Sequence, residues 1–325
     1  MSRQPFVINF VCTKKHLLLN VKKDILASLT YFDIFQYPLT QTEISQFLQY
    51  SHSNDAITQG LQELSVESRI YKFDDYYSLQ DNYSIIQRRK KGNLKAWAVL
   101  RSAENIASFL SSFPFVRGVA VSGSLSKNYA DEHSDIDFFI ITAKNRLWLA
   151  RTLMHIFKKI AILFRKQDFF CMNYYIDEEA LQIREKNIYT AIEVATLLPL
   201  RGIDCFRRFY ENNRWYRHYL PNHSMRISYV KEARKPILKG IAEFVFNNPF
   251  GNLLDYLLMK LTARRWEAKS RKGRTNKGGV KMGMDCSKHY AKPDPENFQK
   301  QLLEIYGKRI QNLSSKQQSE VKSIY

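Results

Sequence analysis

The chain has 325 residues, 45% of them hydrophobic and 14% aromatic, which excludes a disordered tail and allows two or three compact cores. Its 50 Lys and Arg against 31 Asp and Glu leave a formal charge of +19, a field that attracts nucleic acid, nucleotides, acidic proteins and anionic lipid alike. Cys12, Cys171, Cys205 and Cys286 lie far apart with no CxxC pair, which argues against a disulfide framework or structural zinc and for reduced thiols in a soluble, cytoplasmic protein.

The opening "MSRQPFVINFVCTKKHLLLN" holds an apolar run broken by Asn9. It is too short to span a membrane and lacks a small-residue cleavage site, so neither a transmembrane segment nor a signal peptide is expected. Residues 21–82 read as a module of their own. "VKKDILASLTYFDIFQYPLT" predicts a helix stopped near Pro38, and Thr40 or Thr42 can cap "TQTEISQFL". Ser53 or Asn54 can cap "DAITQGLQELSVESR", whose Ile57, Leu61 and Leu64 fall at helical spacing. "IYKFDDYYSL" then predicts a hairpin around Asp74 and Asp75. Helix, helix, helix, hairpin is the order of a winged helix-turn-helix, which this segment resembles. In that family the third helix often enters the DNA major groove. Here the third helix carries Asp55, Gln59, Gln62, Glu63 and Glu67 against the single cation Arg69, so phosphates are repelled. A protein contact or packing role is favoured over DNA reading.

"QRRKKGNLKAW" (87–97) supplies five cations, readable as a solvated linker helix or as a phosphate-facing patch. A second module covers 95–180. It has a helix ending before Pro114, short strands in "FVRGVAVSGS" and "DIDFFIIT", an amphipathic helix over 147–164 with a core-facing apolar side, and a strand in "DFFCMNYYID" (168–177). Alternating helices and short strands predict an α/β arrangement. Residues 181–325 read as mainly helical, apart from the basic, glycine-containing loop 269–283, which is either solvated or closes over phosphate or nucleic acid.

The chemistry concentrates in "AVSGSLSKNYADEHSDIDFFII". On a strand, Asp135 and Asp137 share a face while Ile136 points the other way. Two carboxylates side by side repel unless a cation lies between them, and Mg2+ readily takes one or two carboxylates together with substrate phosphates. Upstream, Gly123 lets backbone approach a phosphate and Ser124 offers a hydroxyl and an N–H to it. Ten residues separate Ser124 from Asp135, room for one helical turn and a return. His133 is a lone loop histidine, and Ser124 lacks recognisable triad partners, so a hydrolase is not expected.

Strand, Gly-Ser, about ten residues, then Asp-x-Asp in a second strand resembles the nucleotidyltransferase superfamily that includes DNA polymerase beta. The resemblance covers about 95–180 and implies an α/β (α+β) fold with a short mixed sheet flanked by helices. By that resemblance Asp135 and Asp137 hold Mg2+ on the triphosphate of an NTP substrate, Gly123 and Ser124 grip its phosphates, and a third carboxylate completes a two-metal site. In "DFFCMNYYID" the in-strand candidate is the neutral Asn173. Asp177, four residues on, points the same way if the strand continues and is the favoured third ligand, with Asn173 the alternative. Glu193, a lone carboxylate on an apolar helix, either reaches the same cleft or serves a buried hydrogen bond, the second being favoured.

The expected function is Mg2+-dependent transfer of a nucleoside monophosphate from NTP to an acceptor. The alternative is a catalytically weakened regulator on the same fold that binds nucleotide or nucleic acid. A nucleotide is the expected partner, with nucleic acid, and a protein bound through the winged-helix-like module, as further candidates.

Overall fold

The computed structural model describes residues 6–163, 170–227, 230–271, 283–294 and 297–322. The chain opens with α1 (Phe6–Asp33), β1 (Leu39–Thr40), α2 (Gln41–Phe47), α3 (Asn54–Val66), β2 (Tyr71–Phe73) and β3 (Tyr76–Ser78). Thr40 caps α2 reciprocally, its side chain accepting from the Glu43 N–H while the Glu43 carboxylate accepts from the Thr40 N–H at 2.9 Å. Ser53 caps α3 through the Ala56 N–H. The three short strands form an antiparallel sheet in the order β1-β3-β2, with Asp74 and Asp75 at the β2–β3 turn.

Next come α4 (Ser84–Leu110), β4 (Val116–Val121), α5 (Gly123–Ser126), β5 (Ile136–Thr142), α6 (Leu147–Leu163) and β6 (Phe170–Asp177). The remainder comprises α7 (Ile188–Thr196), β7 (Leu198–Arg201), α8 (Ile203–Asn212), a 3-10 turn at Arg214–His218, α9 (Ile237–Phe246), α10 (Pro249–Arg271), β8 (Gly283–Cys286), β9 (Tyr290–Asp294) and α11 (Phe298–Lys322). The region after 181, expected to be mainly helical, thus adds β7, β8 and β9 to the central sheet. Those strands are short, and their pairing partners lie far off in sequence. The basic stretch 269–283 lies largely outside the described residues.

The central sheet is mixed, in the order β7-β4-β5-β6-β9-β8, with β5 and β6 parallel and the other neighbours antiparallel. One apolar core lies between its one face and α4, α6 and α10, built on Val119, Phe138, Ile140, Trp148 and Trp266. The other face, with Phe139, Ile141 and Ile176, joins α7 and α8 in a core that continues without a break into α1 and α3 through Ile25, Leu29 and Leu61. Among the described residues no helix is long and apolar enough to cross a membrane.

The cations of 87–97 fit neither expectation as a group. Arg89 is 4% exposed and sits at the joint, donating to the Pro38 carbonyl and, at 2.6 Å, to Glu43, with its guanidinium 4.0 Å from the centre of the Tyr37 ring. Lys90 pairs with Asp74 and Lys91 with Glu132. The stretch bolts α4 to the first module, a role visible only once Glu43 and Tyr37 are brought beside it.

Candidate active site

The antiparallel register of β4 and β5 sets Val121 opposite Phe138. The end of β4 therefore meets the start of β5, and the Ser122 N–H donates to the Asp137 carbonyl at 2.8 Å. Gly123 follows with φ +65°, the left-handed region that favours glycine. A Cβ there would fall 2.3 Å from Asp137 Oδ2, so the missing side chain is the space the carboxylate occupies. The turn is held by Ser126 donating to the Gly123 carbonyl at 2.8 Å and by Lys127 Nζ donating to it at 3.1 Å.

Gly123, Ser124, Asp135, Asp137 and Asn173 line a single cavity of about 920 Å³, and Glu193 lies on its wall with them. Lys127 Nζ lies 2.7 Å from Glu193 Oε1. Burial, reinforced by the nearby Glu193 and Asp135 charges, pushes the Asp137 carboxyl up to about 7, against the pull of Lys127 and the Asn173 amide. Asn173 Nδ2 donates directly to Asp137 Oδ1.

Asp177 does not face this cavity, which corrects the expectation that it completes the site. In the β5–β6 ladder Phe138 pairs with Met172 and Phe139 with Tyr174, leaving Asn173 as an inserted residue. Such a bulge reverses the alternation beyond it. Tyr174 and Ile176 take the face of Phe139, and Asp177, level with Thr142, takes the opposite one. There Asp177 is fully buried, 2.9 Å from His289 Nδ1, and accepts the N–H groups of Asn145 and Glu179 at 3.0 Å each. It holds three chain segments together. His133 stands exposed, its N–H donating to Asp131. Glu193 reaches the cavity, the less favoured of its two readings, and pairs there with Lys127 while still partly exposed.

Two features escaped the sequence reading. Lys127, four residues after Gly123, is the cation of the turn, and its position in "GSLSK" was the available signal. Tyr31, Phe32, Phe35 and Tyr37, from the end of α1 and the segment after it, form an aromatic wall of the cavity together with Tyr129, Tyr189 and Phe298. The dense aromatics of "TYFDIFQYP" were visible, but nothing local placed them against residues 123–137.

The donors at the Gly123 turn suit a hard divalent cation. Asp135, just ahead of β5, and Asp137, within it, offer carboxylate oxygens to a cavity lined by four acidic residues against the cations Arg88, Lys127 and Lys292. From β6 the Asn173 amide, which donates to Asp137, stands beside them. Among the described residues no group of three or more His, Cys, Asp or Glu side chains is arranged to hold a metal ion.

The turn vacates space for the Asp137 carboxylate, beside a second acid, Asp135, that stands just ahead of the same strand. Residues 100–198 match the family model of the nucleotidyltransferase domain. The match runs from within α4 to the first residue of β7 and so contains the Gly123 turn, both aspartates, Asn173 and Glu193. That domain supports nucleotidyl transfer as the general chemistry, with an NTP as substrate and, usually, a divalent metal. Comparison with curated proteins and with solved structures gave no match.

Proposed function

We propose that the protein is a Mg2+-dependent nucleotidyltransferase that moves a nucleoside monophosphate from NTP to an acceptor held in the aromatic part of the cavity. The observation that carries this is the convergence of Gly123, Ser124, Asp135 and Asp137 on one wall, with the glycine shaped around the Asp137 carboxylate. Asp135 and Asp137 hold the cation, and Gly123 and Ser124 grip the triphosphate. When bound, the cation neutralises charge on the phosphates and on the departing pyrophosphate. Lys127 holds the turn in shape through the Gly123 carbonyl and keeps Glu193 compensated.

The first module is a winged-helix-like unit whose role here is to close the cavity rather than to read DNA. Glu63 of its third helix, α3, and Glu67 just after it turn to Lys22 of α1, while α1 lends its aromatic end to the pocket, a surface on which a nucleobase or a flat acceptor can stack.

Incubation with α-labelled NTPs and Mg2+ in the presence of RNA, protein and small hydroxylated acceptors tests the reading. Label transfer that disappears in Asp135→Ala and Asp137→Ala is the expected result. The second reading, a weakened regulator, is favoured by Asn173 standing where a carboxylate is expected. It predicts that NTP binds without transfer to any acceptor, and that Asn173→Asp, by restoring the third acid, creates transfer activity.

A further inference from the structure

Helix α9 is inside out. Its charged residues face the protein: Lys239 is 5% exposed and its ammonium donates to the carbonyls of Ser111 and Val116 at 2.8 Å and of Arg234 at 3.1 Å. One turn on, the Glu243 carboxylate accepts the Phe115 N–H at 2.7 Å and both terminal nitrogens of Arg117 at 2.8 and 3.0 Å. The apolar residues look outward. Ile237 is 83% exposed, Leu238 79%, Ile241 55% and Phe244 87%. An ordinary surface helix shows the reverse arrangement.

The helix that follows continues the pattern. The α9–α10 turn is closed tightly, since a Cβ on Gly251 would fall 1.8 Å from the Phe246 carbonyl oxygen. Arg146 donates to the carbonyls of Phe246 and Asn248, and the buried Asp255 accepts the Leu149 N–H at 2.8 Å. These polar ties fix the hairpin to the start of α6. On its other side Phe250, Leu253, Leu257 and Leu261 recur at helical spacing and are each about half exposed or more. A folded domain does not leave two successive apolar stripes in water without an occupant.

The charge around the stripes selects that occupant. Between residues 231 and 267 the exposed ionic side chains are the cations Lys231, Arg234, Lys235, Lys260, Arg264 and Arg265, against Glu232 and Glu267. A second copy would bring the same basic border, on a chain of charge +19, against itself. Apolar side chains standing proud of a basic border match an anionic bilayer surface, where the rings and branched chains enter the acyl boundary and the cations stay among the headgroups. Neither helix is long and apolar enough to span.

We propose that the α9–α10 hairpin docks the protein on anionic membrane surfaces, lying in the interface with Ile241, Phe244, Phe250 and Leu257 inserted. The test is sedimentation of the full chain with vesicles of phosphatidylcholine alone and of phosphatidylcholine with about one third phosphatidylserine. The expected result is co-sedimentation with the anionic vesicles only, released as salt rises from about 0.1 to about 0.5 M. The double variant Phe244→Ser/Phe250→Ser, at side chains that are 87% and 62% exposed, is expected to keep the wild-type melting temperature and to partition at least about tenfold more weakly. Leu253→Ser/Leu257→Ser supplies the same loss from the second helix. Wild-type protein that stays in the supernatant with anionic vesicles overturns the proposal, as does binding that both double variants retain. Dimers that the Phe244→Ser/Phe250→Ser variant abolishes, found without lipid binding, would assign the face to a second copy instead.

Discussion

Gly123 and Asp137 form one unit: the backbone conformation of the first creates the space for the carboxylate of the second. An alanine at 123 is strained at φ +65° by about 1–2 kcal/mol, and its methyl lands 2.3 Å from Asp137 Oδ2. Gly123→Ala is therefore expected to leave the far-ultraviolet circular dichroism unchanged and to cut transfer by about a hundredfold. Asp137 also carries a stability cost. Unfolded, its carboxyl ionises near 3.8; folded, burial holds the proton until about 7. Between those values the folded state binds more protons, so stability from this group is fully present below pH 3.8, is lost as pH rises through about 7, and leaves the cost in place above that. Asp137→Asn should accordingly melt higher than wild type at pH 8, by on the order of 1–3 kcal/mol, melt equally near pH 4, and transfer nothing. A lower melting temperature at pH 8 would contradict this account.

Strand β6 shows what a single inserted residue does to an element. Its two acid-site candidates are four apart, a spacing that an unbroken strand puts on one face. The bulge at Asn173 sends them to opposite faces, one toward Asp137 and one into a buried network with His289 and the Asn145 and Glu179 amides. Asp177→Ala strands those partners inside the protein and is expected to cost about 3 kcal/mol, read as a shift of the urea midpoint, with transfer per folded molecule unchanged. Activity that falls further than the folded fraction would return Asp177 to the catalytic set. The bulge was not legible because it is a property of the pair of strands: Phe138 and Phe139 must select Met172 and Tyr174 before Asn173 becomes the extra residue. The Gly-Ser turn was legible from local backbone rules, and so was the closeness of Asp135 to Asp137, although Asp135 stands just ahead of β5 rather than on it.

Over the whole molecule the first module and the sheet share a core. Ile25, Leu29 and Leu61 belong to the same apolar cluster as Phe139 and Ile176, and the junction is pinned by Arg89, by Tyr37 donating to the Lys127 carbonyl at 2.6 Å, and by Asn222 donating to the Ser45 carbonyl at 2.8 Å. All four tryptophans, Trp97, Trp148, Trp215 and Trp266, lie beyond the module, so their fluorescence reports only the remainder of the chain. Ile44→Ala, a truncation buried inside the module, is expected to destabilise by about 2–5 kcal/mol and to lower the fluorescence and circular dichroism midpoints together. Separate midpoints would make the module an independent domain.

The sequence by itself determined the capped helices α2 and α3, the strand that leads into the Gly-Ser turn, the strand that carries Asp137, and the basic balance of the chain. Periodicity, cap chemistry and strand alternation act over a few residues, so a chain displays them without being folded. Only the tertiary structure decided that Asn173 rather than Asp177 meets Asp137, that Arg89 is a bolt instead of a phosphate contact, that α1 walls the cavity with its aromatic end, and that α9 turns its apolar side to solvent. Each of these depends on which distant segment lies alongside, and contact between segments far apart in sequence is settled by burial and pairing across the whole molecule.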